Sequence, residues 1–268
     1  MRTIDSLVKE VKAHRVFSHP LYQHWSHGAP EPEVSGAMFH QIQKFCVSTR
    51  PGGVFIKALR KWGWDEQASL LEEIVESESG HGPELAAMAG HIINCSGAGR
   101  VYSDVFDTKD VEAGLKASSD RLLGGLPGYD TINGYTVQAG AAIKVFLRRY
   151  RSDRDITIRN LGTALALEVI FNRSLIPGEK RALVDSGNYP TVTMNEPEMH
   201  YLAEHWGECG AEQLHEQNVI EAVATVLDED TSEQIELGVR DFLESLAALW
   251  DVIDSALLAS GIREPSVV

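Results

Sequence analysis

The sequence is short of cysteine, of basic charge and of long apolar runs. Its three cysteines, Cys46, Cys95 and Cys209, lie far apart and form no Cys-x-x-Cys pair. That argues against a zinc knuckle or a thioredoxin-type site. An odd, sparse count fits a reducing compartment. Lys and Arg number 24 against 39 Asp and Glu, a net charge of −15. Nucleic acids and anionic membranes both demand a basic surface, so neither is an expected partner. No run approaches the roughly 18 apolar residues of a membrane span. The first ten residues, Met1 to Glu10, lack the apolar core of a signal peptide. A cytoplasmic protein is expected. No stretch alternates apolar and polar residues for long enough to make a strand, and no repeat of about 20–50 residues is visible.

What is present is helical period. At 43% hydrophobic and 24% charged, the 268 residues have an ordinary soluble composition and can bury a sizeable core. Ile4, Leu7, Val8 and Val11 mark a first helix, and His27–Pro32 reads as loop. A second helix carries Met38, Phe39, Ile42, Phe45 and Cys46, until Pro51-Gly52-Gly53 breaks it. Phe55–Trp62 continues as helix, and Asp65 reads as the N-cap of the next. Gly80-His81-Gly82 reads as loop, with Pro83 at a first helical position. Further helices are expected near 109–124, over Tyr135–Tyr150 and over Asp155–Asn172. Pro177–Lys180 reads as a turn. One long helix should run from Pro197 to about Leu227, and the cleanest amphipathic pattern spans Ser232–Ser260. The expected fold class is all-α, a single domain over residues 1–268.

Three places in these helices carry chemistry. In Glu204–His215, the residues Glu208, Glu212 and His215 are spaced four and three apart, which places them on one helix face. Glu212-x-x-His215 has the form that helical bundles use to hold two iron or manganese ions. Glu78-Ser-Gly-His81 repeats it, and Glu168 lies alone in the apolar run Ala164–Phe171. A carboxylate is rarely buried unless it is paired or ligates a metal. The sharp reading joins the three places in one dinuclear site. The bland readings are chance Glu-x-x-His spacing in an acidic chain and a salt bridge from Glu168 to Arg159 or Arg173. Glu76 competes with Glu78, and His91 competes with His81. His200 and His205 are alternatives in the second half, and Cys46 reads as core.

In order and spacing these motifs resemble the heme-oxygenase-like superfamily, in particular its CADD-like diiron oxidases, related to the PqqC and TenA enzymes. The resemblance runs from His19-Pro20 and Phe39–Gln43 through Glu76–Gly82, Leu161–Glu168 and Tyr201–His215 to the closing Phe242–Asp254 helix. It implies a compact bundle of about seven or eight helices. It also implies metal ligation by Glu78 with His81, by Glu168, and by Glu212 with His215. Glu208 stands where some relatives place His. The chain departs from the pattern at Ala87, near which many relatives carry the His of the first half-site.

The function so implied is a non-heme diiron oxidase or oxygenase. It would use O₂ to oxidise a small substrate, such as an amino acid or a fatty acid. The cofactor is two Fe ions, with Mn as the alternative, since hard oxygen and imidazole ligands suit both. Relatives often pair, which makes a homodimer the expected assembly. The rival readings are a PqqC-like cofactorless oxidase and a metal-free binding or accessory protein, with a TenA-type hydrolase third.

Overall fold

Thirteen α-helical segments, ten of them nine residues or longer, and no strand make up the described residues. The structure, a computed structural model, describes residues 2–49, 52–78, 81–97, 99–207 and 211–261. The all-α class is as expected, with more helices than the seven or eight anticipated. In chain order the segments are α1 (Ile4–Ala13), α2 (Leu21–Trp25), α3 (Pro32–Thr49), α4 (Gly53–Lys61), α5 (Asp65–Ser77), α6 (His81–Asn94) and α7 (Thr108–Leu123). They continue as α8 (Val137–Leu147), α9 (Arg154–Ile170), α10 (Ile176–Lys180), α11 (His200–His205), α12 (Ala211–Val226) and α13 (Ser232–Ala259). An isolated antiparallel bridge between Asp130 and Tyr135 is the only strand-like pairing among the described residues.

Local structure departs from the expected pattern in four places. The single helix expected over 197–227 divides in two, because α11 ends at His205 and Gly207 takes φ +102°. That left-handed conformation suits glycine and stops a helix. The expected turn at Pro177–Lys180 is instead buried helix. Two π turns, Phe171–Leu175 and Arg181–Asp185, carry α9 through α10 without a break. Such turns are frequent near functional sites. His81 is the first residue of α6 rather than part of a loop. Finally, Asp65 is the first helical residue of α5 and not its N-cap, which is Trp64. Its charge sits instead at the positive end of the helix dipole, beside Glu66.

Packing fixes α9 at the centre. It lies along α13, against α12, and under α4 and α1. Thirteen of its residues are buried, and it has almost no polar face. A helix that is apolar all round belongs in the middle of a bundle. Its start is set by Asp153, whose side chain accepts from the Ile156 amide. The crossing with α13 is backbone to backbone. A Cβ on Gly162 would lie 2.0 Å from the Ile235 carbonyl oxygen, and one on Gly238 would lie 1.9 Å from that of Arg159. Thr163 ties the crossing by donating to the Gly238 carbonyl at 3.2 Å. No helix of the described residues is long and apolar enough to cross a membrane.

Candidate metal centre

The two acid-x-x-His pairs and the lone core acid meet in one place. Glu78 caps the C-terminus of α5 and His81 opens α6. Glu168 reaches in from α9, and Glu212 and His215 come from the first turns of α12. His215 Nδ1 lies 3.7 Å from Glu168 Oε2 and 3.7 Å from Glu78 Oε1. His81 Nδ1 lies 2.7 Å from Glu78 Oε2. Glu208 lies outside the described residues.

His205, at the end of α11, completes the cluster. Its Nε2 stands 3.5 Å from both Glu78 and Glu212. Its Nδ1 donates to the Tyr201 carbonyl at 2.6 Å. A carbonyl accepts only from an N–H, so that bond places a proton on Nδ1 and turns Nε2 to the carboxylates. A backbone carbonyl behind the ring is the usual support of a ligating imidazole. The sequence offers His205 as an alternative ligand, seven residues before Glu212 and so on the same face of a continuous helix. In the structure α11 ends at His205 and α12 begins at Ala211, and the two side chains still meet.

The remaining alternatives lie elsewhere. His91 faces Glu196 at 3.2 Å, outside the cluster, and Glu76 is exposed. His200 is largely exposed, beside Glu84 and Glu204. The salt bridge proposed for Glu168 is absent among the described residues. Arg159 pairs with Asp241, and Arg173 with Glu216 at 2.8 Å. His81 Nε2 faces Glu204 at 3.4 Å, so its ring spans from the cluster to a more exposed acidic edge.

The electrostatics are those of an anion cluster set in apolar surroundings. Burial pushes the Glu168 carboxyl well above its ordinary range, and the charge of Glu78 adds to it. Glu212 is raised in the same way, by burial and then by Glu168 and Glu78. Burial opposes ionisation of Glu78 too, but contacts from His205 and His81 outweigh it and hold that carboxyl well below the usual range. Burial depresses His215 to about 4, against the attraction of Glu78. The two upward shifts favour the protonated form of Glu168 and Glu212. Glu212 Oε2, His81 Nε2 and His205 Nε2 are buried and lack hydrogen-bond partners. Such atoms cost about 1–3 kcal/mol each, and a bound cation would satisfy them.

The donor set fits two divalent ions. Glu78, His81 and His205 offer ligand atoms within 4.8 Å of one another, and so do Glu78, Glu212 and His215. The two triads share Glu78, whose Oε1 faces His205 of the first and His215 of the second, and Glu168 borders the second. Three carboxylates and three imidazoles suit iron or manganese rather than a soft thiophilic metal. No family model matches the chain, and no curated protein matches it.

A second buried acid lies nearby on α10. Glu179 is fully buried, neither oxygen has a hydrogen-bond partner, and burial pushes its carboxyl up to about 8. It is therefore neutral in the folded protein at pH 7 and ionised in the unfolded chain. The contribution of this group to stability is constant below pH 4.5, the value for an ordinary carboxyl, and falls as pH rises towards about 8. Glu179→Gln is expected to remove that fall. Urea unfolding at pH 8 should show the variant more stable than wild type by roughly 4 kcal/mol, with little difference at pH 4.5. Equal slopes against pH in the two proteins would refute the assignment.

Proposed function

We propose that the protein is a non-heme diiron oxidase or oxygenase of the heme-oxygenase-like kind. The observation that carries the reading is the pair of ligand triads sharing Glu78, set in an apolar core. Glu78, His81 and His205 would hold one ion, and Glu78, Glu212 and His215 the other, with Glu168 beside the second. Two ferrous ions bound there would supply reduction of O₂ and the oxidising equivalents for a C–H or nitrogen-containing group of a small substrate.

The chain's own part is to place and shield that chemistry. The Tyr201 carbonyl fixes the His205 ring, and Tyr201 packs edge-on to His81 with ring centroids 5.7 Å apart. Phe171, Leu85 and Tyr201 line the adjoining space and keep bulk water out. Glu168 faces an apolar cavity on its other side, so a substrate there would meet the cluster through that one carboxylate. Burial favours the protonated form of Glu168 and Glu212, so a cation bound beside them would release protons.

Anaerobic titration of metal-free protein with Fe(II), followed by O₂, tests this. About two ions per chain are expected, with proton release, tighter binding at pH 7.5 than at pH 5.5, and a transient visible absorption on exposure to O₂. No binding at either pH would overturn the proposal in favour of a cofactorless enzyme or an accessory protein.

A further inference from the structure

The cavity beside Glu168 holds donors that nothing in the protein uses. It is lined by Phe55, Phe146, Ala164 and Leu167, with Arg149 and Asn160 among them. Asn160 is only 6% exposed, and its side-chain amide nitrogen has no hydrogen-bond partner. Nε and Nη1 of Arg149 are also buried and unpartnered. The other hydroxyls on the wall are already committed. Thr49 donates to the Cys46 carbonyl at 2.7 Å and Thr163 to that of Gly238.

This arrangement differs from that of the neighbouring arginines. Arg148 pairs with Asp241, Arg159 faces the same acid at 3.8 Å, and Arg173 meets Glu216. Arg149 has no acid within ion-pair reach among the described residues and lies instead over the Tyr150 ring, 5.5 Å from its centroid. A guanidinium stays charged at any relevant pH, and leaving its N–H groups buried and unpaired is costly. Its planar fork matches a carboxylate, and such charge-assisted bonds are about twice as strong as neutral ones. The cavity measures about 30 Å³, more than the roughly 10–15 Å³ one water needs and enough for a carboxylate group.

We propose that Arg149 and Asn160 form a carboxylate-binding subsite, which takes the carboxylate of a small organic acid into the cavity beside Glu168. The acid would then be anchored at its charged end. Binding itself needs no metal, and only the fate of the acid rests on the diiron reading.

The test is saturation-transfer NMR of butyrate on the metal-free, full-length protein. Butyrate should bind wild type at millimolar concentrations, and butyramide, its uncharged analogue, at least tenfold more weakly. Arg149→Gln should weaken butyrate by tenfold or more. Asn160→Asp, nearly isosteric, should abolish binding by placing a carboxylate of its own before the guanidinium. Fe(II) stoichiometry, measured on the same variants, should stay at the wild-type value and will show that they are folded. No butyrate binding by wild type, equal binding of butyramide, or full binding by Asn160→Asp would each overturn the subsite. Loss of iron binding in wild type with Arg149-dependent butyrate binding retained would sink the diiron reading and leave the subsite standing.

Discussion

Glu78→Ala is expected to remove both metal ions at once. Glu78 is the one residue common to the two triads, and its Oε1 faces His205 of one and His215 of the other. Loss of that carboxylate would take a ligand from each position. Supporting groups around a metal typically contribute 10–100-fold in affinity, so a shared ligand should cost more than about 100-fold at both positions. His81→Ala should behave differently. It strips a ligand from one triad and leaves Glu78, Glu212 and His215 intact, so one ion per chain is expected to remain. Iron quantified after anaerobic loading and desalting separates the two variants. The metal-free Glu78→Ala protein should keep its helical circular dichroism, because removing this charge relieves the two acids it raises, Glu168 and Glu212. Two ions retained in Glu78→Ala would refute the shared-ligand geometry.

Gly238→Ala should be among the most damaging single-methyl changes in the protein. The added carbon would stand 1.9 Å from a carbonyl oxygen of α9, which no rotamer can avoid. Overpacking usually costs about 1–3 kcal/mol, and backbone-on-backbone contact belongs at the upper end or beyond. A loss of about 3 kcal/mol is expected, read as a lower urea midpoint with unchanged slope. Gly162→Ala should match it, since Gly162 meets Ile235 in the same crossing. Because α9 carries Glu168, the folded fraction of either variant should also bind the second iron less tightly. A change below about 0.5 kcal/mol, the size of an ordinary surface effect, would show that the helices separate freely.

Much of this site is legible in the amino-acid sequence. Glu78, His81, Glu168, Glu212 and His215 stand out because helical spacing and an acid in an apolar run are local signals. The helical class is legible for the same reason, from period alone. His205 is legible only as an alternative, and the end of α11 before Gly207 is not, because a single glycine in a helical pattern reads as a weakness rather than a stop. The π turns after Glu168 are also hidden. Pro177 and Gly178 look like a turn, yet Gly178 packs its backbone against the Tyr22 ring, where a Cβ would come within 2.4 Å, and tertiary contact outweighs local propensity there. The Arg149–Asn160 pair has no sequence signature, since its meaning lies in partners that are absent.

Glu78, His81 and His205 all stand at points where a helix begins or ends, whereas Glu212 and His215 share one continuous helix. The two positions are therefore unequal. A helix that fixes two ligands in register has little freedom left to lose, and its position should fill first and release last. The other position would draw its ligands from three separate helix ends, so it would be the exchangeable one. Iron supply would then act as a dimmer on this protein: scarce metal would leave it half-charged and folded, and abundance would complete it.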